Sequence, residues 1–273
     1  MTALRMHLLQ FFETVGHATH GFLITTARLA RLGRNFLYWA LVAPLKGKEG
    51  FRRHTFARQL VFMGNESLPI VFLVSASVGA VLALQAAYQL RQFGAVLYTG
   101  ALVSVSMARE LGPLVTAVLI AGRVGASITA ELGTMKVQEE IDALTTMGIP
   151  HVPFLIVPRI LALSIMLPAL TILGDAIGIL GGYLVGTLCL GLDGHLFLEK
   201  SFDALISKDL LTGVAKSFVF AVLVGLIANF KGLAVEGGAE GVGRATTESV
   251  VLSIIAIIVS DCLMTALFYY VFA

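Results

Sequence analysis

Long apolar runs separated by shorter polar stretches make up the chain from residue 66 onward. About 20 apolar residues in a helix are enough to cross a bilayer core about 30 Å thick. The pattern predicts transmembrane helices at residues 67–90, 97–128, 160–190, 210–230 and 249–271. We therefore predict an all-α integral membrane protein whose transmembrane domain, residues 66–273, has five spans.

Residues 1–65 have a different pattern, with nine of the 19 Lys and Arg residues and only two acidic residues. A helical projection of residues 22–36 separates an apolar face from a basic face. The apolar face consists of Phe22, Leu29, Leu32 and Phe36, and the basic face of Arg28, Arg31 and Arg34. This pattern predicts an amphipathic helix in the membrane interface, with a short soluble helix packed on the membrane domain as the alternative. The positive-inside rule then places the N-terminus in the cytoplasm and, after five spans, the C-terminus in the periplasm.

Polar segments connect the predicted spans. We expect residues 129–153 to form a cytoplasmic loop containing a helix at about 130–147, and residues 193–209 to form an extracytoplasmic loop with a helical piece. The glycine-rich residues 231–248 are expected to form a flexible cytoplasmic turn. The second span is long and contains Gly112-Pro113, so we expect a tilted or bent helix there.

Composition and motifs exclude several classes of protein. With 57% hydrophobic and 13% charged residues the chain is not a soluble globular enzyme, and a net charge of +2 is too small to indicate nucleic-acid binding. No GxxxxGK[ST] motif occurs, so this chain is expected to have no cofactor of its own, and any ATP and Mg²⁺ would bind to a partner. No catalytic residue or metal site is predicted, and Cys189 and Cys262 are interpreted as small buried apolar side chains.

Ionisable residues within the predicted spans are the main candidates for function. They are Arg109, Glu110, Asp175, Lys216 and Asp261. Each costs about 2.5 to 3.5 kcal/mol at the centre of a membrane helix, so each is expected to face the protein interior or a wet cavity. Asp209 lies on nearly the same helix face as Lys216 but about 10 Å away along the axis, too far for a salt bridge. Two interpretations stay open: the charges pair across helices, or some of them line a substrate cavity.

Glycines recur at every fourth position of the third span. They are Gly174, Gly178, Gly182 and Gly186. Such a stripe predicts a flat helix face on which another helix packs closely. Backbone contact with lipid or with a moving helix is the alternative.

Acidic and apolar residues alternate in segment 130–149. The acidic residues are Glu131, Glu139, Glu140 and Asp142, and the apolar ones include Met135, Leu144 and Met147. A short amphipathic helix of this kind favours docking in a groove of another protein. The alternative is a helix resting on its own membrane domain or on lipid, but anionic lipid would repel the acidic residues.

Residues 109–149, RELGPLVTAVLIAGRVGASITAELGTMKVQEEIDALTTMGI, closely resemble the MlaE family of ABC-transporter permeases, as do GVGRATTESVV at 241–251 and residues 261–268. The resemblance extends over about residues 50–270. It implies a homodimer in the bacterial inner membrane, with an interfacial helix and five spans per subunit and an outward-opening lipid cavity between the subunits. It also implies a cytoplasmic ABC ATPase, often a small STAS-domain protein, and a ring of periplasmic MCE-domain protein as partners.

The same resemblance implies roles for individual residues. The polar cavity wall would include Arg109, Glu110, Asp209 and Lys216, with Leu84 and Tyr88 of the first span also at the cavity. Segment 130–147 would be the coupling helix that fits the ATPase, and the substrate would be a phospholipid.

Two other functions are alternatives. One is an ion-coupled secondary transporter in which Glu110, Asp175 and Asp261 carry protons, and the other is a structural scaffold for a periplasmic ring. The acidic docking segment and the lack of a nucleotide motif in a chain with so little soluble mass favour the ABC permease over both.

Overall fold

The computed structural model describes residues 26–42 and 53–272, and these residues form helices joined by short turns, with no β-strand among them. Contacts divide the chain into two units, residues 1–50 and 51–273. The described part of the first unit is helix α1, which is α-helical at 26–37 and π-helical at Tyr38–Val42.

Helix α1 has the two faces expected from its sequence over the residues described. Arg28, Arg31 and Arg34 are exposed, whereas Leu29 is half-buried and Phe36 is buried. Phe22, the first residue of the predicted apolar face, lies outside the described residues. The amphipathic pattern is therefore present in the structure, and the position of the helix in the membrane interface stays a prediction.

The second unit is a bundle built around long apolar helices. Its helices are α2 (Arg53–Gly64), α3 (Leu68–Arg91), α4 (Val96–Val137), α5 (Glu140–Thr146), α6 (Val152–Leu188), α7 (Gly194–Ala204), α8 (Ser207–Leu233) and α9 (Gly238–Phe272). A 3₁₀ turn at Asn65–Ser67 joins α2 to α3, so that the first spanning helix is Thr55–Arg91. With α4, α6, α8 and α9, this confirms the prediction of five spans by length and apolar composition.

Helix α6 lies at the centre of the bundle and packs on α3, α8 and α2. The core at this centre includes Leu163, Leu167, Phe220 and Val224, all of which are fully buried. Large apolar side chains on α3 and α9, such as Phe72 and Ile255, are instead exposed on the outside of the bundle. An outer surface of this kind suits contact with lipid or with another subunit rather than with water.

Helix α4 is continuous but contains two π-helical turns, Met107–Leu111 and Ala121–Gly125. The first comes directly before Gly112 and Pro113. Proline has no N–H group to donate to the carbonyl four residues earlier, and a wider turn at this point accommodates that missing bond. Where the sequence of Gly112-Pro113 predicted a tilted or bent helix, the structure therefore has a local π turn.

Two predicted boundaries differ from the structure. The helix expected at 130–147 is two helices, since α4 runs to Val137 and α5 begins at Glu140, after Glu139 adopts a left-handed φ of 59°. The flexible turn expected at 231–248 is much shorter, because α9 already begins at Gly238. Gly237 and Gly238 have φ values of 89° and 69°, so the turn is made by these two glycines and the later ones are helical.

The interpretation of both cysteines as buried is wrong. Cys189 and Cys262 are exposed on the surface of the chain. Their apolar sequence surroundings indicated burial, but an apolar residue of a membrane helix can as readily face outward.

Candidate functional site

A buried lysine is the centre of a charged cluster where α4, α8 and α9 meet. Lys216 is 1% exposed. Its Nζ donates hydrogen bonds to Glu110 Oε2 at 2.5 Å and to Thr265 Oγ1 at 2.7 Å. The same Nζ lies 3.0 Å from Asp261 Oδ1, an ion-pair distance. One cation of α8 thus joins a carboxylate of α4 to a carboxylate and a hydroxyl of α9.

Local backbone features bring these groups together. Glu110 belongs to the first π turn of α4, where the helix widens before Pro113. On α8, Gly213 lies three residues before Lys216 and packs directly against the carbonyl oxygen of Ala108, where a β-carbon would collide. The close approach of α8 to this turn lets the Lys216 side chain reach Glu110 without leaving the protein interior.

A second ion pair extends the cluster along the same two helices. Arg109 Nε lies 3.4 Å from Asp209 Oδ1, and the Arg109 side chain is 47% exposed. Asp209 Oδ2 also accepts a hydrogen bond from the backbone N–H of Ile206 at 3.2 Å, which caps the first turn of α8. The adjacent residues Arg109 and Glu110 therefore pair with two residues of α8 that are seven positions apart.

The sequence left two alternatives for these charges, which were pairing across helices and lining a substrate cavity. The cluster has features of both. The charges pair across helices, and no pair joins Asp209 to Lys216, as their axial separation predicts. Arg109 is nevertheless half-exposed, and the Glu110 side chain is 39% exposed, so that part of the cluster faces the outside of the chain. Fixed charges at such a surface can bind a polar group from outside without first unfolding the bundle.

Thr265 was not predicted from the sequence, and Asp261 was predicted as one of the intramembrane charges and, in the alternative function, as a proton carrier. They are four residues apart on α9 and therefore share one helix face. The four-residue spacing of Asp261 and Thr265 could have been used to predict from the sequence that a polar face of α9 packs against Lys216.

Leu84 and Tyr88 are exposed on α3, and α3 packs mainly on α6 rather than on the helices carrying Lys216 and Asp261. Their place in a substrate site stays a prediction.

Asp175 lies elsewhere, in the packing between α6 and α4. It is 4% exposed, its Oδ1 occupies the place that a β-carbon on Gly112 would take, and this oxygen has no hydrogen-bond partner among the described residues. Lys216 joins Glu110 and Asp261 but makes no ion pair with Asp175. The structure thus separates one of the three residues that a proton carrier was expected to use from the other two.

The glycine stripe of α6 faces neighbouring helices. Gly178 meets the backbone of α3 at Gly79, and a β-carbon at Gly182 would lie 2.9 Å from a methyl group of Val103 of α4. A β-carbon at Gly174 would lie 3.0 Å from the hydroxyl of Ser75. At Gly186 it would lie 3.1 Å from the ring of Phe197 of α7. In the structure, the glycine stripe of α6 therefore packs closely against neighbouring helices.

The predicted coupling segment is divided between the end of α4, the turn after it and α5. Glu131 and Met135 are on α4, Glu139 is in the turn, Glu140, Asp142 and Leu144 are on α5, and Met147 follows it. Lys136 Nζ pairs with Asp142 Oδ2 at 3.1 Å and so links α4 to α5. On α5, the side chain of Ile141 is buried. Glu139, Glu140 and Met147 remain exposed at this end of the bundle.

Comparison with known proteins identifies the family. The sequence model of the MlaE permease family matches residues 56–267. The chain belongs to the MlaE permease family. This match includes every residue of the charged cluster and of the predicted coupling segment.

Individual relatives of this MlaE-family chain have related names. It is 36% identical to the intermembrane phospholipid transport system permease protein MlaE of Haemophilus influenzae over 98% of this chain and 97% of that protein. It is 42% identical to a probable ABC transporter permease protein of Rickettsia bellii, over 78% of this chain and 83% of that protein. The chloroplast protein TRIGALACTOSYLDIACYLGLYCEROL 1 of Arabidopsis thaliana is 32% identical over 82% of this chain and 64% of its own length. The chain is thus an ABC-transporter permease of the MlaE family.

Proposed function

We propose that this permease moves phospholipid between the bacterial inner membrane and a periplasmic MCE-domain partner. The near full-length similarity to a permease named for intermembrane phospholipid transport supports this substrate class. The observation that carries the proposal is the half-exposed charged cluster at an otherwise apolar outer surface. A phospholipid has an anionic head group and apolar chains, and this surface offers a partner to each.

In this mechanism Arg109 makes the first contact with the head group. Its guanidinium is accessible and holds Asp209 at 3.4 Å through one nitrogen, so other N–H groups can bond phosphate oxygens. Lys216 is held between Glu110 and Asp261 and offsets the negative charge of these two carboxylates behind Arg109. Two cations, Arg109 and Lys216, face three carboxylates, so the ion pairs compensate most of the charge before lipid arrives, which limits the cost of holding it in the membrane.

A second copy of the chain would complete the lipid cavity. The exposed apolar faces of α3 and α9, including Leu84 and Tyr88, supply the surface for subunit contact and for the acyl chains. We place the N-terminus and α5 in the cytoplasm and the C-terminus in the periplasm, with α1 in the membrane interface, because basic residues concentrate in residues 1–65.

Energy comes from a separate ABC ATPase, which would bind ATP and Mg²⁺ and dock on the exposed residues around α5. The Lys136–Asp142 pair transmits movement of α5 to the end of α4, the helix that carries Arg109 and Glu110. A small STAS-domain protein is a further candidate partner.

The test is transport by the assembled complex in proteoliposomes, with a fluorescent phospholipid delivered to the MCE-domain protein. The exposed Arg109 is changed in an Arg109→Gln variant, and Arg91→Gln is the matched control because Arg91 is also exposed but lies at the end of α3. We expect ATP-dependent transport to fall several-fold in Arg109→Gln and in the double variant Arg109→Ala/Lys216→Ala, and to be unchanged in the control.

Two outcomes would contradict the proposal. Unchanged transport in an assembled Arg109→Ala/Lys216→Ala complex would remove the head-group role. Flux driven by a pH gradient through the purified chain alone would instead indicate an ion-coupled transporter.

A further inference from the structure

A cavity of about 730 Å³ lies at the end of the bundle that carries α5, between α2, the end of α4 and the start of α6. Its polar lining includes Arg58, Glu66, Glu131 and Arg159. It is separate from the Lys216 cluster, and none of the residues of that cluster lines it. A volume of this size falls within the range of small-molecule sites in proteins.

Arg159 is a buried cation with unused hydrogen-bonding capacity at this cavity. The residue is 3% exposed, and its Nη2 pairs with Glu131 Oε1 at 2.8 Å. Its Nη1 makes one long bond of 3.5 Å to the carbonyl of Leu155, and its buried Nε has no partner within residues 26–42 and 53–272. Since a guanidinium carries five N–H donors, a ligand in the cavity can accept hydrogen bonds that the protein leaves unmade.

The charges around the cavity leave one positive charge uncompensated. Glu131 is paired with Arg159, and Glu66 is paired with Arg123 at 2.7 Å. Arg58 also lines the cavity, is exposed, and forms no ion pair with any residue that the structure describes. A ligand with a single negative charge would balance Arg58 and could accept from Nη1 and Nη2 of Arg159, which have four N–H donors and make one bond each to the protein.

Apolar side chains make up much of the remaining wall, including Val61, Phe62 and Leu155. Val61 is 62% exposed and continues the apolar outer surface of the bundle. A water-soluble anion would gain nothing from this wall, whereas the chains of a lipid would bury it. Basic pockets between membrane helices are a recognised way of holding lipid head groups.

We infer that this cavity is a second phospholipid site, which binds a monoanionic phosphodiester head group through Arg58 and Arg159 with the acyl chains along Val61 and Phe62. The site takes lipid from the leaflet at the α5 end of the bundle. It does not depend on passage of lipid through the Lys216 cluster, so it stands apart from the transport mechanism proposed above.

The test uses the full chain, with a diazirine amino acid in place of Leu155, in maltoside detergent that contains no phosphate. Dioleoyl phosphatidylglycerol or dioleoylglycerol is added, and light-induced adducts are measured by mass spectrometry. We expect adducts at position 155 with phosphatidylglycerol and several-fold fewer with dioleoylglycerol. Arg58→Gln should lower the phosphatidylglycerol adduct several-fold, whereas the control Arg91→Gln should leave it unchanged.

Each other result would overturn the inference. Equal adducts with both lipids, or an unchanged yield in Arg58→Gln, would show that the charges do not select the head group. Competition by soluble glycerophosphoglycerol at the concentration of the lipid would assign the cavity to a water-soluble phosphodiester instead. Because Arg58 is exposed, its replacement is not expected to unfold the chain, and transport by Arg109→Gln remains a separate measurement.

Discussion

Replacement of Lys216 by methionine tests whether this residue compensates buried charge. Methionine keeps the length and apolar stem of the side chain but leaves Asp261, which is 17% exposed, and Glu110, which is 39% exposed, without their shared cation. Removing one partner of a buried ion pair costs about 3 to 5 kcal/mol. Water can reach Glu110 in part, so we expect a loss near the lower end, about 3 kcal/mol of unfolding free energy.

The assay is unfolding in sodium dodecyl sulfate, followed by circular dichroism in mixed micelles. Lys136→Met is the control, because Lys136 and Asp142 are 35% and 64% exposed and such a pair contributes less than about 1 kcal/mol. Adding Asp261→Asn to Lys216→Met should restore part of the loss, since it removes one uncompensated carboxylate. A loss in Lys216→Met no larger than in the control, or a double variant less stable than the single, would refute this account of the cluster.

Three further changes test the packing, the turn and the cluster by the same unfolding assay. Gly79→Val should lose at least about 1 to 3 kcal/mol, because its β-carbon would meet the backbone of Gly178, whereas Gly122→Ala, in open space, should change stability by less than about 1 kcal/mol. Equal effects would contradict the close contact of α3 and α6. Glu139→Gly should gain about 1 kcal/mol by relieving a left-handed φ of 59°, and a loss would argue against that backbone conformation. Thr265→Val should lose about 1 kcal/mol with its hydrogen bonds to Lys216 and Glu110, and Thr265→Ser should not; equal losses would show that the hydroxyl is unimportant.

The five spans could be predicted because a membrane helix requires a long apolar run, which is visible in the sequence alone. The partners of Lys216 could not, because Glu110 and Thr265 are 106 and 49 residues away along the chain and meet it only through the packing of three helices. Periodicity assigns Lys216 to one helix face but does not say which helix that face meets.

The ends of the helices were harder to predict than their centres. Gly241 and Gly243 have the composition of a turn, yet they lie inside α9, and the turn itself depends on the φ values of Gly237 and Gly238. The break at Glu139 has no glycine or proline to mark it, and only its backbone conformation separates α4 from α5.

The second π turn of α4, Ala121–Gly125, lies between Arg109 and the end of the helix at Glu131 and Met135. Relative to an uninterrupted α-helix, one additional residue in a turn rotates everything beyond it by about 100°, since an α-helix has 3.6 residues per turn. The angular phase between Arg109 and Met135 is therefore set by this turn. Converting it to a regular α turn would rotate Met135 about the helix axis while Arg109 stayed in place. A change in this one turn would therefore reorient the end of α4 relative to Arg109.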